Sequence, residues 1–507
     1  MSDYVLGAHI LESLTIGMYQ DSRIIFREYI QNACDSIDAA VKCGVLAEGE
    51  GEIRIEIDPE ARNILIEDNG TGIKAADFVK VMGNVAASEK DQRENKGFRG
   101  IGKLCGMAYC AEVVFTSKFR GESAVSVLRC NAKILREFFG DKDSGLKQES
   151  AQSVLATINE FSSERTEDID GHYFRVELLG INEENEDLTD CGKVKEYLSF
   201  AAPLPYHMGF AEFSARIHRH AWELGQRIDE YDIFLNGDQL FKMYSRKFVN
   251  GRGNISDEIF DISFEDFRDI KNNLVAWMWY GISHFKGAID DKCRMRGIRL
   301  RKDNIQIGDA DTMRRFFAEA RGNSYFVGEV FCVSEDFTPN ARRDYFNENK
   351  QRNDFEHQLL MRFKPLTKLY HDGSAINSSL RKISEAQQKS EEFAERMNAG
   401  SFANDDEVKA AKEEVQLMQE EAASAEEKLQ KIRAEGSKLA VSIIRHIEYS
   451  AQEPAPSENH PQPAEAAKPK RTQKELRLIS QIFDIIKSTL PSETANLLIT
   501  KIQDKLK

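Results

Sequence analysis

Three short blocks between Phe26 and Lys103 carry residue types that could act together on a charged ligand. The first runs from Phe26 to Asp35, with Ile25, Ile30 and Ala33 apolar and no Gly or Pro, which predicts a helix. Helical spacing then puts Glu28, Asn32 and Asp35 on one face. A carboxylate one turn from a carboxamide suits a site where one group orients water and the other offers an oxygen to a hard cation such as Mg²⁺. In the second block, Ile64-Leu65-Ile66-Glu67 reads as a strand that ends in Asp68-Asn69-Gly70-Thr71-Gly72. A carboxylate there can accept from the exocyclic amine of a flat base, and a missing Cβ lets a ring approach the backbone. The third block sets Gly97, Gly100 and Gly102 before Lys103 and an apolar run through Leu104 and Met107 that predicts a helix start. Backbone N–H groups at such a start, with a lysine beside them, favour phosphate. The spacing fits neither the Walker loop nor the Rossmann fingerprint. Singly, the blocks fit a polar helix face, a hairpin loop and a glycine cluster; in this order they describe a nucleotide pocket.

That order resembles the GHKL ATPases, the group of gyrase-type topoisomerases, MutL-type repair proteins, histidine kinases and ninety-kilodalton heat-shock chaperones. The chaperones are the most similar branch, through Ile10 to Leu14, Tyr19, Ser22, Ile25 to Glu28, and the segment Met82 to Ser88. The resemblance implies a Bergerat-type ATP-binding sandwich with ATP and Mg²⁺ as cofactors. Glu28 would activate the attacking water, Asn32 would ligate Mg²⁺ and Asp35 would line the pocket. Asp68 would bind the adenine amine, Gly72 would sit under the base, and Gly97, Gly100, Gly102 and Lys103 would wrap the phosphates. The chain departs from the chaperone pattern at Val81 and Ala87, where those proteins carry Asn and Lys, and at His172, where they carry Thr. Lys103 is closer to the topoisomerase and MutL-like branches. Residues 328–344 resemble the chaperone middle-domain segment whose arginine reaches the terminal phosphate, and the matching position is Arg343, with Arg342 one residue off register. A guanidinium arriving from a second domain would couple nucleotide state to domain geometry.

Five parts must position these residues in a chain of 507. The expected architecture is α/β (α+β): an ATP-binding domain over 1–180, an acidic boundary at Ile181 to Asp187, and a second α/β domain over 195–372. Coiled-coil helices would follow over 375–450, then a proline-rich linker over 451–472 and a helical hairpin over 473–507. The second domain contains the expected strand Ile233-Phe234-Leu235 and the aromatic strand Val275 to Gly281, with Trp277 and Trp279 facing one way into a core. Six basic residues between Lys292 and Lys302 alternate with Met295, Ile298 and Leu300, which predicts a strand with a solvated charged face or, functionally, phosphate contacts. The heptad Val408, Ala411, Val415, Met418, Ala422, Ala425, Leu429, Ile432 predicts a coil, folded on the 376–398 helix or paired with a second chain.

The 41% apolar content supports globular cores, and a net charge of −15 disfavours general polyanion binding by the whole chain. Eight scattered cysteines without a CxxC pair read as reduced thiols. With no signal-like N-terminus and no apolar run of membrane length, a cytoplasmic protein without membrane association is expected. Two functions remain open. One is an ATP-hydrolysing conformational clamp acting on a protein client or partner, with a homodimer through the coil or C-terminal helices. The other is a nucleotide-gated module of a multi-protein system acting on nucleic acid, with genome defence as one setting. A histidine kinase is a distant third, because no His lies on a dimerisation helix upstream of the ATP blocks.

Overall fold

A computed structural model describes residues 7, 9–15, 21–84, 102–140, 150–452 and 483. Met1–Tyr449 forms one compact unit and Ser450–Lys507 another. The expected linker beyond residue 452 and the hairpin, apart from Phe483, lie outside the described residues, as do Gly97, Gly100 and the segment 85–101.

In chain order the first part comprises α1 (His9–Leu14), α2 (Ile24–Lys42), β1 (Glu52–Asp58), β2 (Asn63–Asp68), α3 (Ala75–Gly83), β3 (Cys110–Lys118), β4 (Ala124–Asn131), α4 (Ala132–Gly140), α5 (Ala151–Ile158), β5 (Asn159–Arg165), β6 (Tyr173–Ile181), α6 (Cys191–Ala201), α7 (Ala211–Glu223), β7 (Asp232–Leu235) and β8 (Asp238–Gln239). Its eight strands form one sheet in the order β5-β4-β3-β6-β2-β1-β7-β8. Alternation does what the pattern requires: Ile53, Ile55 and Ile57 are buried while Arg54 and Glu56 point out. Ile25, Phe26, Tyr29, Ile30, Ala33, Cys34 and Ile37 of α2 pack into the same core. The opposite edge of that helix is thereby free to present Glu28, Asn32 and Asp35.

The boundary expected at 181–187 is not a break between cores. Ser22 Oγ donates to Asp187 at 2.6 Å, Arg62 Nε donates to the Ile181 carbonyl at 2.6 Å, and Leu188 is fully buried in the first core. The strand Ile233–Leu235, expected in the second domain, pairs in parallel with β1 and extends the first sheet. Val194, Leu198, Leu204 and Leu240 join that core too, so the first domain reaches to residue 240. An acidic run reports solvent exposure of its own side chains; it does not report where a core ends.

The second sheet is built from β9 (Lys247–Val249), β10 (Ile255–Arg268), β11 (Leu274–Ser283), β12 (Gly297–Lys302), β13 (Ile305–Ile307) and β14 (Val327–Cys332), in the order β13-β12-β14-β11-β10-β9. Both faces are covered. Trp277 and Trp279 enter one core with Phe213 and Ile217 of α7, whereas Met278 and Tyr280 enter the other. The basic strand therefore has no solvated face: Arg299 is 4% exposed and Arg301 is fully buried. Alternating Arg and apolar residues here mark a strand buried on both sides, in which Arg301 is matched by Glu329 while Arg299 has no carboxylate within ion-pair distance among the described residues.

Three helices follow: α8 (Lys350–Asn398), α9 (Asp405–Glu435) and α10 (Lys438–Gln452). The edge expected at 372–375 falls inside α8, which is continuous. Phe355, Leu359, Phe363, Leu366, Leu369, Tyr370 and Ile376 lie in the second core; after Ser379 only Ala386 is buried, which is why the composition changes there. Asn404 caps α9 by accepting from Glu407 N at 2.8 Å, and α9 folds back on α8 within the chain, with Lys382–Glu421 at 3.0 Å and Lys389–Glu414 at 3.3 Å across the pair. Val415, Ala425 and Leu429 are its buried residues. α10 does not continue that pair. Ala440, Ile443 and Ile444 return to the second core.

Candidate functional site

Glu28 sits in the second turn of α2 at 6% exposure. Gly102 lies directly against it: a Cβ there would be 3.1 Å from Glu28 Oε2 and 3.8 Å from Asn32 Nδ2. The first and third blocks therefore meet as expected. The Asn32 carboxamide has no hydrogen-bond partner among the described residues. Asp35 is buried on the same face of α2.

At the end of β2, Asp68 is 3% exposed and its Oδ1 accepts from Gly70 N at 2.9 Å. Two glycines are obligatory in the loop after it. A Cβ at Gly70 would fall 2.1 Å from Ser36 Oγ, and one at Gly72, whose φ is +64°, 2.1 Å from the Lys118 carbonyl oxygen. Gly72 is thus demanded by backbone packing against β3 and β6, a reason the motif alone did not reveal. His172 Nδ1 donates to the Gly70 carbonyl at 2.9 Å, so the residue standing where the relatives carry Thr ties this loop down.

Lys103 departs from expectation. Its ammonium donates to the Val81 and Met82 carbonyls at 2.9 Å each and to that of Asn84, so it closes the C-terminus of α3. Unpaired helix-end carbonyls attract a cation in this way. Burial lowers its pKa to about 8. Residues 102–108 form a 3₁₀ segment rather than an α-helix. Tyr29, which the sequence reading did not single out, positions it: its hydroxyl accepts from Gly106 N at 3.1 Å and donates to the Lys103 carbonyl at 3.3 Å. Burial raises that phenol well above its usual range.

The second domain delivers Arg343 to this place. Its Nε stands 2.9 Å from Glu28 Oε1, and Arg27 Nη2 stands 3.6 Å from the same oxygen. Neither contact has hydrogen-bond alignment, and among the described residues Glu28 Oε1 has no hydrogen-bond donor. The carboxylate is therefore charge-matched while its acceptor capacity stays open. Arg343 holds a left-handed backbone, φ +55°, fixed by Arg343 N to the Asn340 carbonyl at 3.1 Å and Gly308 N to the Arg343 carbonyl at 2.8 Å. A non-glycine residue held there is strained and kept so by its surroundings. Arg342, one residue earlier, is exposed, whereas Arg343 is buried.

The first sheet domain carries a helix-borne carboxylate and carboxamide beside Gly102, and a strand-end Asp followed by two constrained glycines. Residues 22–164 match the histidine kinase-, DNA gyrase B-, and HSP90-like ATPase family, and the chain carries a domain of this GHKL type there. Among curated proteins it is similar to the chaperone protein HtpG of Psychrobacter arcticus, 27% identical over 175 residues, which is 31% of this chain and 26% of that protein. HtpG of Psychrobacter cryohalolentis is 30% identical over 135 residues, 23% of this chain and 20% of that protein. HtpG of Buchnera aphidicola is 26% identical over 145 residues, 26% of this chain and 23% of that protein. Each match spans about a quarter or less of the relative. Among the described residues, no helix is long and apolar enough to cross a membrane.

Proposed function

We propose that the chain binds ATP with Mg²⁺ and hydrolyses it, and that the nucleotide sets the geometry between its two sheet domains, so that the molecule works as a conformational clamp on a partner protein. The observation that carries this reading is the meeting of Glu28 from α2 with Arg343 from the second domain at 2.9 Å. The residues fit the implied group: a buried Glu28 oxygen lacks a donor, the Asn32 amide lacks a partner, and Gly102 leaves room beside both. Asn32 would hold the metal ion, Asp68 the adenine amine, and Gly102 would face the phosphates. When bound, Mg²⁺–ATP supplies a polarised terminal phosphate.

The chain's own residues do the rest. Glu28, with an unfilled acceptor position, orients a water and takes its proton. Arg27 and Arg343 neutralise the carboxylate, and Arg343 can exchange it for a phosphoryl oxygen. Because Arg343 belongs to the second domain, that exchange moves one domain against the other. Partner binding follows the resemblance to the chaperones. The nucleic-acid reading loses most of its strand, since Arg299 and Arg301 are buried.

The test is equilibrium binding of a fluorescent adenine nucleotide with Mg²⁺, combined with a phosphate-release assay. Wild type should bind and turn over. Glu28→Ala should keep affinity and lose about 100-fold or more in turnover, with Glu28→Gln as a control for lost charge. Absence of adenine-nucleotide affinity in the wild type overturns the reading; unchanged turnover in Glu28→Ala removes Glu28 from it.

A further inference from the structure

Behind the Glu28–Arg343 pair, α2, α6 and the loops around β12 enclose a cleft of about 640 Å³, lined by seven arginines and five carboxylates. Some of that charge is already matched. Arg23 pairs with Asp21 at 3.0 Å, Arg294 with Glu196 at 2.7 Å and Arg343 with Glu28 at 2.9 Å. Asp344 accepts from Asn340 Nδ2 at 2.5 Å and Asp309 from Asp311 N at 2.9 Å; these donors are neutral, so both carboxylates keep their charge in the lining, beside Asp291. Among the described residues, Arg296, Arg299 and Arg342 have no carboxylate within ion-pair distance, although Arg299 is 4% exposed. Arg299 Nη2 donates to the Arg294 carbonyl, its guanidinium lies 4.4 Å from the Phe200 ring centroid, and its Nε has no hydrogen-bond partner. Arg27 Nε, also on this wall and also at 4% exposure, has none either. Burial, with Arg301 behind it, lowers the pKa of Arg299.

Buried guanidinium donors without acceptors are expensive, and a ligand that supplies acceptors removes that cost. The arrangement asks for a compact anion with several oxygens, since planar guanidinium forks match phosphate. We propose that this cleft is a second anion site that takes a phosphate dianion, held by the buried Arg27 and Arg299 and the more exposed Arg296 and Arg342. Arg27 belongs both to its wall and to the surroundings of Glu28, which places the site next to the position where hydrolysis would release phosphate. The dianion has two sources, orthophosphate from solvent or the orthophosphate that hydrolysis produces; only the second rests on the function proposed above.

The test titrates orthophosphate into the full, nucleotide-free chain by calorimetry, which keeps it independent of adenine binding. Saturable binding is expected in the wild type, weakened at least about tenfold in the Arg296→Ala/Arg342→Ala double variant, where one changed side chain is exposed and the other half-buried. No saturable binding, or equal binding by the double variant, overturns the site. Asp68→Asn, in the nucleotide pocket, should bind orthophosphate within about twofold of wild type. A single turnover of ATP separates the sources. Free phosphate that appears after cleavage in the wild type, and sooner in the double variant, identifies the product; release coincident with cleavage in both identifies solvent phosphate.

Discussion

Glu28 and Arg343 show how one pair can serve two states. Their contact at 2.9 Å neutralises a carboxylate that is 6% exposed, and the same guanidinium is the group that would meet a terminal phosphate. Arg343→Ala should leave nucleotide affinity within a few-fold and reduce turnover by about 100-fold or more, measured by phosphate release; wild-type turnover in that variant would exclude the role. Gly72 gives a residue-level prediction for stability instead of chemistry. A methyl group 2.1 Å from the Lys118 carbonyl oxygen, on a backbone at φ +64°, forces the loop to move. Gly72→Ala should therefore destabilise the first domain by about 1–3 kcal/mol, read from urea unfolding, with weaker adenine binding because Asp68 shares the loop.

Between elements, packing decides more than charge does. The pairs Lys382–Glu421 and Lys389–Glu414 across α8 and α9 are all at least 36% exposed by side chain and contribute about 0–1 kcal/mol each. Leu429 at 5% exposure belongs to the second core. Leu429→Ala should cost about 2–5 kcal/mol and accelerate amide exchange along α9, whereas Lys389→Ala should change both little; the reverse ranking would refute the packing account. The same contrast explains what was legible beforehand. The helix bearing Glu28, the strand ending at Asp68 and the heptad of α9 were readable because each is set by local periodicity. The parallel pairing of β7 with β1, the return of α10 to the second core and the reach of the first domain to Leu240 were not, because each depends on long-range contacts that leave no periodic trace. At the candidate site, the approach of Gly102 to Glu28 follows the order of the sequence blocks, but the use of Lys103 to close α3 was not readable, since a lysine's reach lets it serve either partner.

At the scale of the molecule, the two domains are joined through a charge cluster with no exposed surface. Glu329 of β14 meets Arg301 of β12 and, at 3.2 Å, Lys242, which follows β8; Trp279 Nε1 donates to Glu329 Oε2 at 3.2 Å, and Tyr206 donates to it as well. Arg301 Nη2 also donates to the Phe200 carbonyl in α6 at 2.8 Å, so the cluster ties α6 to the second sheet. Burial pushes the Glu329 carboxyl up, but Arg301, Lys242 and the donated hydrogen bonds outweigh it and hold the group at about 2, below its ordinary 4.5. A depressed carboxyl contributes stability above 4.5 and loses it as pH falls toward 2. Two cations share one carboxylate, so burial and Arg301 lower Lys242 to about 7 from 10.5, and stability gains again as pH rises through that interval. Glu329→Gln should remove the acid-side loss while costing about 3–5 kcal/mol at neutral pH, because buried Arg301 is left without its counter-charge and Lys242 is driven to its neutral form. The measurement is amide exchange of β12 and β14 against pH. An acid-side slope in Glu329→Gln equal to that of wild type would show that the carboxylate does not hold the joint.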